Sequence, residues 1–245
     1  MSEFPDTQYA TSDGLSIAFQ EWGSGPNKLV MVPGIVSHLE ENLRRPAYLY
    51  FLESLAKDFH LIIFDKRGNG LSDRINGAPT IDERARDIEA VMDAAGLDTA
   101  ALTAFSEGSA LALLFAARNP ARISKLVLGS GSAAGRLPSG EMTEAQMQQA
   151  REAFLENWGK VGGQHPLATH GPKGDDADTP EEFARFCRLC ATPSAIAALH
   201  DMNQRFDIRD VLPTIQQPTL VLRRERESTS RARAKCVADH IPGAI

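Results

Sequence analysis

The sequence has few cysteines, few aromatic residues and no long apolar run. Its three cysteines, Cys187, Cys190 and Cys236, are too few and too widely placed for a disulfide framework, which fits a reducing compartment. No stretch approaches the roughly 20 apolar residues that a membrane span needs. The first residues have neither a basic flank nor an apolar segment, so we expect no signal peptide and a cytoplasmic protein.

An excess of positive charge is also missing. The chain carries 26 Lys and Arg against 32 Asp and Glu, a net charge of −6, which argues against nucleic acid as the main partner. Hydrophobic residues make up 42% and charged residues 24%, values typical of globular proteins rather than of disordered, collagen-like or coiled-coil chains. The length of 245 residues suits one domain with a sizeable core.

Apolar runs of strand length alternate with helical segments, which predicts an α/β fold whose mostly parallel sheet has helices on both faces. Strand patterns disappear after residue 132, so we expect a helical cap inserted after the sixth strand, and a division into core 1–132, cap 133–207 and core 208–245. The predicted elements are a hairpin over 9–22, strands at 28–32, 60–64, 100–104, 123–128 and 219–222, and helices at 41–57, 80–96, 107–118 and 232–240.

The strongest chemical signal is Ala104-Phe105-Ser106-Glu107-Gly108, which lies between a predicted strand and a predicted helix. A serine in this setting, flanked by small residues two positions away, is typical of a nucleophile elbow. The helix N-terminus would favour negative charge developing beside Ser106. The alternative interpretation is a serine that only caps the helix.

A second motif, Val32-Pro33-Gly34-Ile35, follows the third strand. In a fold with a nucleophile elbow, an oxyanion hole takes one backbone N–H from this loop and one from the residue after the nucleophile. This assigns the N–H groups of Ile35 and Glu107 as oxyanion donors, whereas the alternative for the loop is an ordinary Pro-Gly turn.

The segment Phe64-Asp-Lys-Arg-Gly-Asn-Gly-Leu-Ser-Asp73, together with the two motifs above, resembles the α/β-hydrolase-fold serine hydrolases. More narrowly, it is similar to the hydrolase-like domains found beside class III adenylate/guanylate cyclase domains or helix-turn-helix regulators in bacteria. The resemblance covers residues 9–132 and 206–244. It implies that the loop 65–72 is structural. A fused or separate regulatory domain and a second copy of the chain are both partners that the sequence allows. Ser106 excludes the relatives that carry Asp at the elbow.

The resemblance also implies a triad acid after the last predicted strand and a histidine base beyond one further strand. Glu225 or Glu227 is the candidate acid, with solvated glutamates paired to neighbouring arginines as the alternative. The printed chain has neither that further strand nor a histidine at that position. Of the six histidines only His38 follows the oxyanion loop, and it is a weak candidate. A piece of a longer hydrolase is a third alternative.

We therefore expect a serine hydrolase, esterase-like, that acts on a small ester or acyl substrate. The alternative is a ligand-binding or sensory module of the same fold without turnover. No histidine or cysteine pair has the spacing of a zinc site, so we expect no metal and no cofactor. The pair Cys187 and Cys190 falls on a predicted helix and is interpreted as two buried thiols.

Overall fold

The computed structural model describes residues 4–162, 178–224 and 231–245. A seven-stranded sheet with the order β1-β2-β4-β3-β5-β6-β7 runs through the molecule. Its strands are β1 (Gln8–Ser12), β2 (Leu15–Trp22), β3 (Asn27–Val32), β4 (Phe59–Phe64), β5 (Ala100–Phe105), β6 (Ile123–Gly129) and β7 (Thr219–Leu222). The helices are α1 (Leu39–Leu43), α2 (Pro46–Ala56), α3 (Ile81–Ala94), α4 (Glu107–Arg118), α5 (Glu144–Glu156), α6 (Pro180–Cys190), α7 (Pro193–Arg205) and α8 (Arg231–His240).

The sheet is mostly parallel, as predicted. Only β1–β2 and β2–β4 pair antiparallel, whereas β4–β3, β3–β5, β5–β6 and β6–β7 pair in parallel. The carboxyl ends of β3, β5 and β6 therefore meet at one edge of the sheet. In open α/β sheets this edge is where ligands bind.

Alternating residues of the central strands fill a core on each face of the sheet. Val30 and Val32 of β3 pack in the cluster that contains α3 and α4, whereas Leu29 and Met31 pack in the cluster that contains Leu52 of α2. A strand with both faces covered needs apolar residues at every position, which explains the continuous apolar runs in the sequence. Helices on both faces confirm the predicted layering.

The first helical segment differs from the prediction. We expected one helix over 41–57, but the structure has α1 and α2 with a break between them. Arg45 has an extended backbone, with φ −95° and ψ 110°, and Pro46 begins α2. A residue before proline is disfavoured in the helical region, and proline is well suited to the first helical turn. The prediction of a continuous helix was wrong because Pro46 forces the residue before it out of the helical conformation.

Local signals elsewhere are confirmed. Asp13 and Gly14 both have positive φ, 50° and 79°, at the turn of the predicted hairpin. Thr80 and Glu83 form the predicted capping box at the start of α3, with each side chain bonded to the other's backbone N–H. These features depend on contacts within a few residues, so they are visible in the sequence.

Helices α5, α6 and α7 lie between β6 and β7 in the chain. Their apolar side chains form a third cluster that also includes Ile35 from the loop after β3. Cys187 and Cys190 are buried free thiols on α6, as predicted. The division at residues 132 and 207 and the role of these helices as a cap stay predictions. Within the described part of the chain, no helix combines the length and apolar character needed to cross a bilayer.

Candidate active site

Ser106 occupies a strained turn between β5 and α4. Its backbone has φ 53° and ψ −123°, a conformation that residues with a Cβ atom rarely adopt. Two other described residues besides glycine have a positive φ, Asp13 and Ser130. The N–H of Ser106 donates to the Gly129 carbonyl at the end of β6, with a distance of 2.9 Å, and this bond fixes the turn to the neighbouring strand.

The side chain of Ser106 does not cap α4. It stands at the N-cap position but makes no side-chain capping hydrogen bond, and the residue is exposed. By contrast, Thr80, Thr143 and Thr179 all accept a capping bond at the starts of their helices. The capping interpretation of Ser106 is therefore wrong, and its hydroxyl is left for other chemistry.

Small residues around the turn are required by close packing. A Cβ atom on Gly108 would lie 2.4 Å from the Pro33 carbonyl oxygen and 2.6 Å from that of Val32, so only glycine fits. Ala104, at the other small position, is completely buried. A Cβ atom on Gly34 would lie 3.6 Å from the Cβ of Ser106. The elbow and the loop after β3 are thus in direct contact.

The two predicted oxyanion donors belong to these contacting segments. Ile35 follows Gly34 directly, and its side chain is anchored in the cluster formed with α5, α6 and α7. Glu107 is the first residue of α4, and the N–H groups in the first turn of a helix have no partner within the helix. Glu107 therefore follows Ser106 directly in the chain, and Ile35 follows Gly34, which packs against Ser106.

A small polar cavity of about 30 Å³ opens beside Ser106. It is lined by Ser106, Glu107, Ser130, Ser132, Asn203, Phe206 and Arg233. A larger cavity of about 170 Å³ shares Ser132 and Arg233 with it. In Arg233, burial lowers the pKa below its usual value, and Glu141 opposes this effect. The residues of the two cavities come from the elbow at the start of α4, the loop after β6, the segment 133–141, α7 and the residues that follow it, and α8.

The carboxylate of Glu107 points into the core instead of toward solvent. It accepts from Arg84 Nη1 at 2.7 Å and pairs with the ammonium of Lys66, and all three side chains are fully buried. Burial alone would raise the pKa of Glu107, but Arg84 and Lys66 outweigh it and hold that pKa below its usual value. Glu107 is therefore an ion-paired carboxylate. Asn69 accepts from the other end of the Arg84 guanidinium, at 2.7 Å.

Lys66 is the site residue that sequence reasoning missed. It lies between Asp65 and Arg67, in a loop to which we assigned no chemistry, and yet it contacts both Pro33 and Glu107. The only signal in the sequence was a lysine directly after a buried strand and its terminal aspartate. The rest of the loop is structural, as expected: Asp65 accepts from the Leu39 and Leu71 N–H groups at 3.0 and 2.9 Å.

The described histidines all have structural partners. His38 caps α1 by accepting from the Glu41 N–H at 3.2 Å, and His240 donates from Nδ1 to the Cys236 carbonyl. The other two described histidines also contact side chains. His60 forms hydrogen bonds with Glu21 and Lys28, and the ring of His200 packs against the ring of Phe154. None of these four lines the cavity beside Ser106.

Two predicted candidates lie outside the described residues. They are the two candidate acids, Glu225 and Glu227. The two remaining histidines, His165 and His170, which were not candidates, also lie outside the described residues. Over the ranges 4–162, 178–224 and 231–245, no group of three or more His, Cys, Asp or Glu is arranged to hold a metal ion.

Comparison with known proteins decides the family. A family model described as the α/β hydrolase fold matches residues 27–222, which contain both the elbow and the oxyanion loop. The chain belongs to the α/β-hydrolase-fold family. The predicted fold class is thereby confirmed.

Curated relatives of this member of the α/β-hydrolase-fold family carry the names of hydrolases. N-formylmaleamate deformylase from Pseudomonas putida is 26% identical over 237 residues, which cover 91% of this chain and 79% of that protein. The AB hydrolase superfamily protein YisY from Bacillus subtilis is 29% identical over 185 residues, covering 74% of this chain and 69% of that protein.

Solved structures show the same architecture. A hydrolase from Oleispira antarctica superposes with a TM-score of 0.75 at 19% identity, covering 93% of this chain and 84% of that one. An enol-lactonase from Burkholderia xenovorans gives a TM-score of 0.70 at 20% identity, covering 97% and 89%. At this level of identity the likeness shows the fold alone.

Proposed function

We propose that the chain is a serine hydrolase, esterase-like, in which Ser106 attacks the acyl carbon of a small ester or acyl substrate. One observation carries this proposal: the backbone of Ser106 is held at φ 53° and ψ −123° while its hydroxyl makes no capping bond. Strain of this kind costs free energy and persists where the surrounding structure enforces it, as at functional sites. A serine that only capped the helix would not require a strained backbone.

The groups around Ser106 suit acyl transfer. When the hydroxyl adds to an acyl carbon, the carbonyl oxygen becomes an oxyanion, and the N–H groups of Ile35 and Glu107 are proposed to receive it. Preorganised donors of this kind commonly lower the barrier by about 3–4 kcal/mol each. The N-terminus of α4 adds a partial positive charge at the same point.

Serine is a weak nucleophile at neutral pH and needs a base that takes its proton. The family order places an acid and then a histidine after β7, so Glu225 and Glu227 stay the candidate acids. Within the described residues, the ionisable side chains lining the Ser106 cavity are Glu107, which is ion-paired, and Arg233. Neither is suited to be a general base.

The substrate class rests on the site's dimensions and on the relatives. The cavity of about 30 Å³ holds no more than a few water molecules, so a substrate needs the surrounding segments to move. We propose that helices α5–α7 set substrate size. One relative is named as a deformylase, and a structural neighbour is named as an enol-lactonase. The association with a cyclase-type regulatory domain and a homodimer are further proposals drawn from the resemblance.

A fluorophosphonate probe tests the nucleophile. The full chain is expected to be labelled at one serine, to hydrolyse p-nitrophenyl acetate, and to lose both properties in Ser106→Ala. The matched control is Ser124→Ala, an exposed serine at the amino end of β6, far from the elbow end of that strand. Labelling that survives Ser106→Ala would contradict the assignment. A rise in melting temperature with small ligands, but without labelling or turnover, would favour the binding module instead.

A further inference from the structure

Lys66 makes three hydrogen bonds beneath the elbow. Its ammonium donates to the Pro33 carbonyl at 2.9 Å, to the Gly34 carbonyl at 2.6 Å and to the Glu107 carboxylate, and the side chain is fully buried. A lysine ammonium has three donors and no acceptor. Three acceptors therefore use the hydrogen-bonding capacity of the charged form completely. Burial, and after it the charge of Arg84, lower the pKa of Lys66 to about 7, and Glu107 opposes this effect.

One of these bonds acts on a proposed oxyanion donor directly. The Gly34 carbonyl and the Ile35 N–H belong to the same peptide group, which is planar and trans, so the two point in opposite directions. A cation that holds the carbonyl at 2.6 Å therefore also fixes the direction of the N–H. It polarises the peptide group as well, which makes the N–H a stronger donor.

The second donor is tied to the same ammonium. Glu107 contributes its N–H from the first position of α4, and its carboxylate is clamped between Lys66 and Arg84. When Lys66 is protonated, the three side chains carry one positive charge in excess, all with zero exposure. A positive charge in a water-excluded place favours the anion that forms on the other side of these donors.

We propose that Lys66 is a positioning residue of the oxyanion hole, which orients the Ile35 donor through the Gly34 carbonyl and the Glu107 donor through its carboxylate. This inference rests on the proposed function, because it assigns a role to those two N–H groups. It differs from a purely structural role, in which the buried ion cluster would only hold β3, α3 and α4 together.

The first test needs no turnover. The full chain labelled with ¹⁵N is compared with Lys66→Met, which has a similar length but no charge and no donor. The amide proton of Ile35 is expected to move upfield and to exchange faster with solvent, because its peptide group is no longer held and polarised. Lys125→Met, at an exposed position of β6, is the matched control and should leave this amide unchanged.

The second test is kinetic. Lys66→Met is expected to lower kcat for p-nitrophenyl acetate by about 10²-fold with KM changed little, because an oxyanion donor acts on the transition state and not on the bound substrate. Lys66→Arg, which keeps a cation, should recover part of the loss. If Lys66→Met fails to fold, Lys66→Gln takes its place in both tests, because it removes the ammonium charge, keeps N–H donors for the carbonyls and leaves the Glu107–Arg84 ion pair intact. The Ile35 amide shift and the loss in kcat are then expected in the same direction.

The outcomes separate the two proposals. A folded Lys66→Met whose Ile35 and Glu107 amides match those of the unchanged chain overturns the role of Lys66, whatever the activity. An unchanged kcat in an active variant overturns it as well. A parent chain without labelling or turnover instead refutes the proposed function, and with it the catalytic meaning of any amide shift.

Discussion

The strain at Ser106 gives a stability prediction with an unusual sign. Ser106→Gly and Ser106→Ala both remove the hydroxyl, but only glycine tolerates φ 53° and ψ −123° without cost. Such a conformation costs a residue with a Cβ atom about 1–3 kcal/mol. Glycine loses about 0.5–1 kcal/mol to the entropy of the unfolded chain. Ser106→Gly is therefore expected to be the more stable of the two by about 1 kcal/mol, or about 2–4 °C in Tm for a chain of this size.

The same pair of substitutions at Ser124 provides the control. Ser124 is exposed in β6 and is not among the residues with a positive φ, so glycine there should be less stable than alanine by about 0.5–1 kcal/mol. Urea unfolding followed by circular dichroism measures all four variants. If glycine is also the less stable residue at position 106, by the same amount as at 124, the elbow stores no strain and the central argument for Ser106 is refuted.

Three further predictions concern packing and buried groups. Gly108→Ala should lower stability by about 1–3 kcal/mol, measured by urea unfolding, because its Cβ would lie 2.4 Å from a carbonyl oxygen. Asp65→Ala should cost about 1–3 kcal/mol in the same assay, since it leaves the Leu39 and Leu71 N–H groups without their acceptor. Burial raises the pKa of Cys187 to about 11 and that of Cys190 well above its usual value. A thiol reagent at pH 8 should therefore modify Cys236 first, and three fast thiols in the folded chain would contradict this burial.

The parts of the fold that the sequence predicted are those set by local contacts or by periodicity. The capping box of Thr80 and Glu83 spans four residues, and the alternation of apolar runs with helical patterns reports the layered sheet directly. The break between α1 and α2 at Pro46 also depends on local sequence and could have been predicted from the proline. Ser106 was found because a nucleophile elbow needs small residues at fixed distances along the chain, and the clash at Gly108 shows why.

Lys66 could not be found in that way. Its three acceptors lie 33, 32 and 41 residues away along the chain, so nothing in its neighbourhood distinguishes it from a solvated lysine. A lysine is rarely fully buried unless it is paired, and only the folded arrangement shows the partners. The same holds for Glu107, whose ion pairs with Lys66 and Arg84 join three separate segments.

The buried ion cluster restricts how this protein can change in evolution. Removing the Glu107 carboxylate would leave the buried charges of Lys66 and Arg84 without their anionic partner, and breaking a buried ion pair in this way commonly costs about 3–5 kcal/mol. That is a large share of the roughly 5–15 kcal/mol by which a folded protein is stable. Lys66, Arg84 and Glu107 are therefore expected to be replaced together or not at all. These three positions are far apart in the chain, and yet we expect them to change together in evolution.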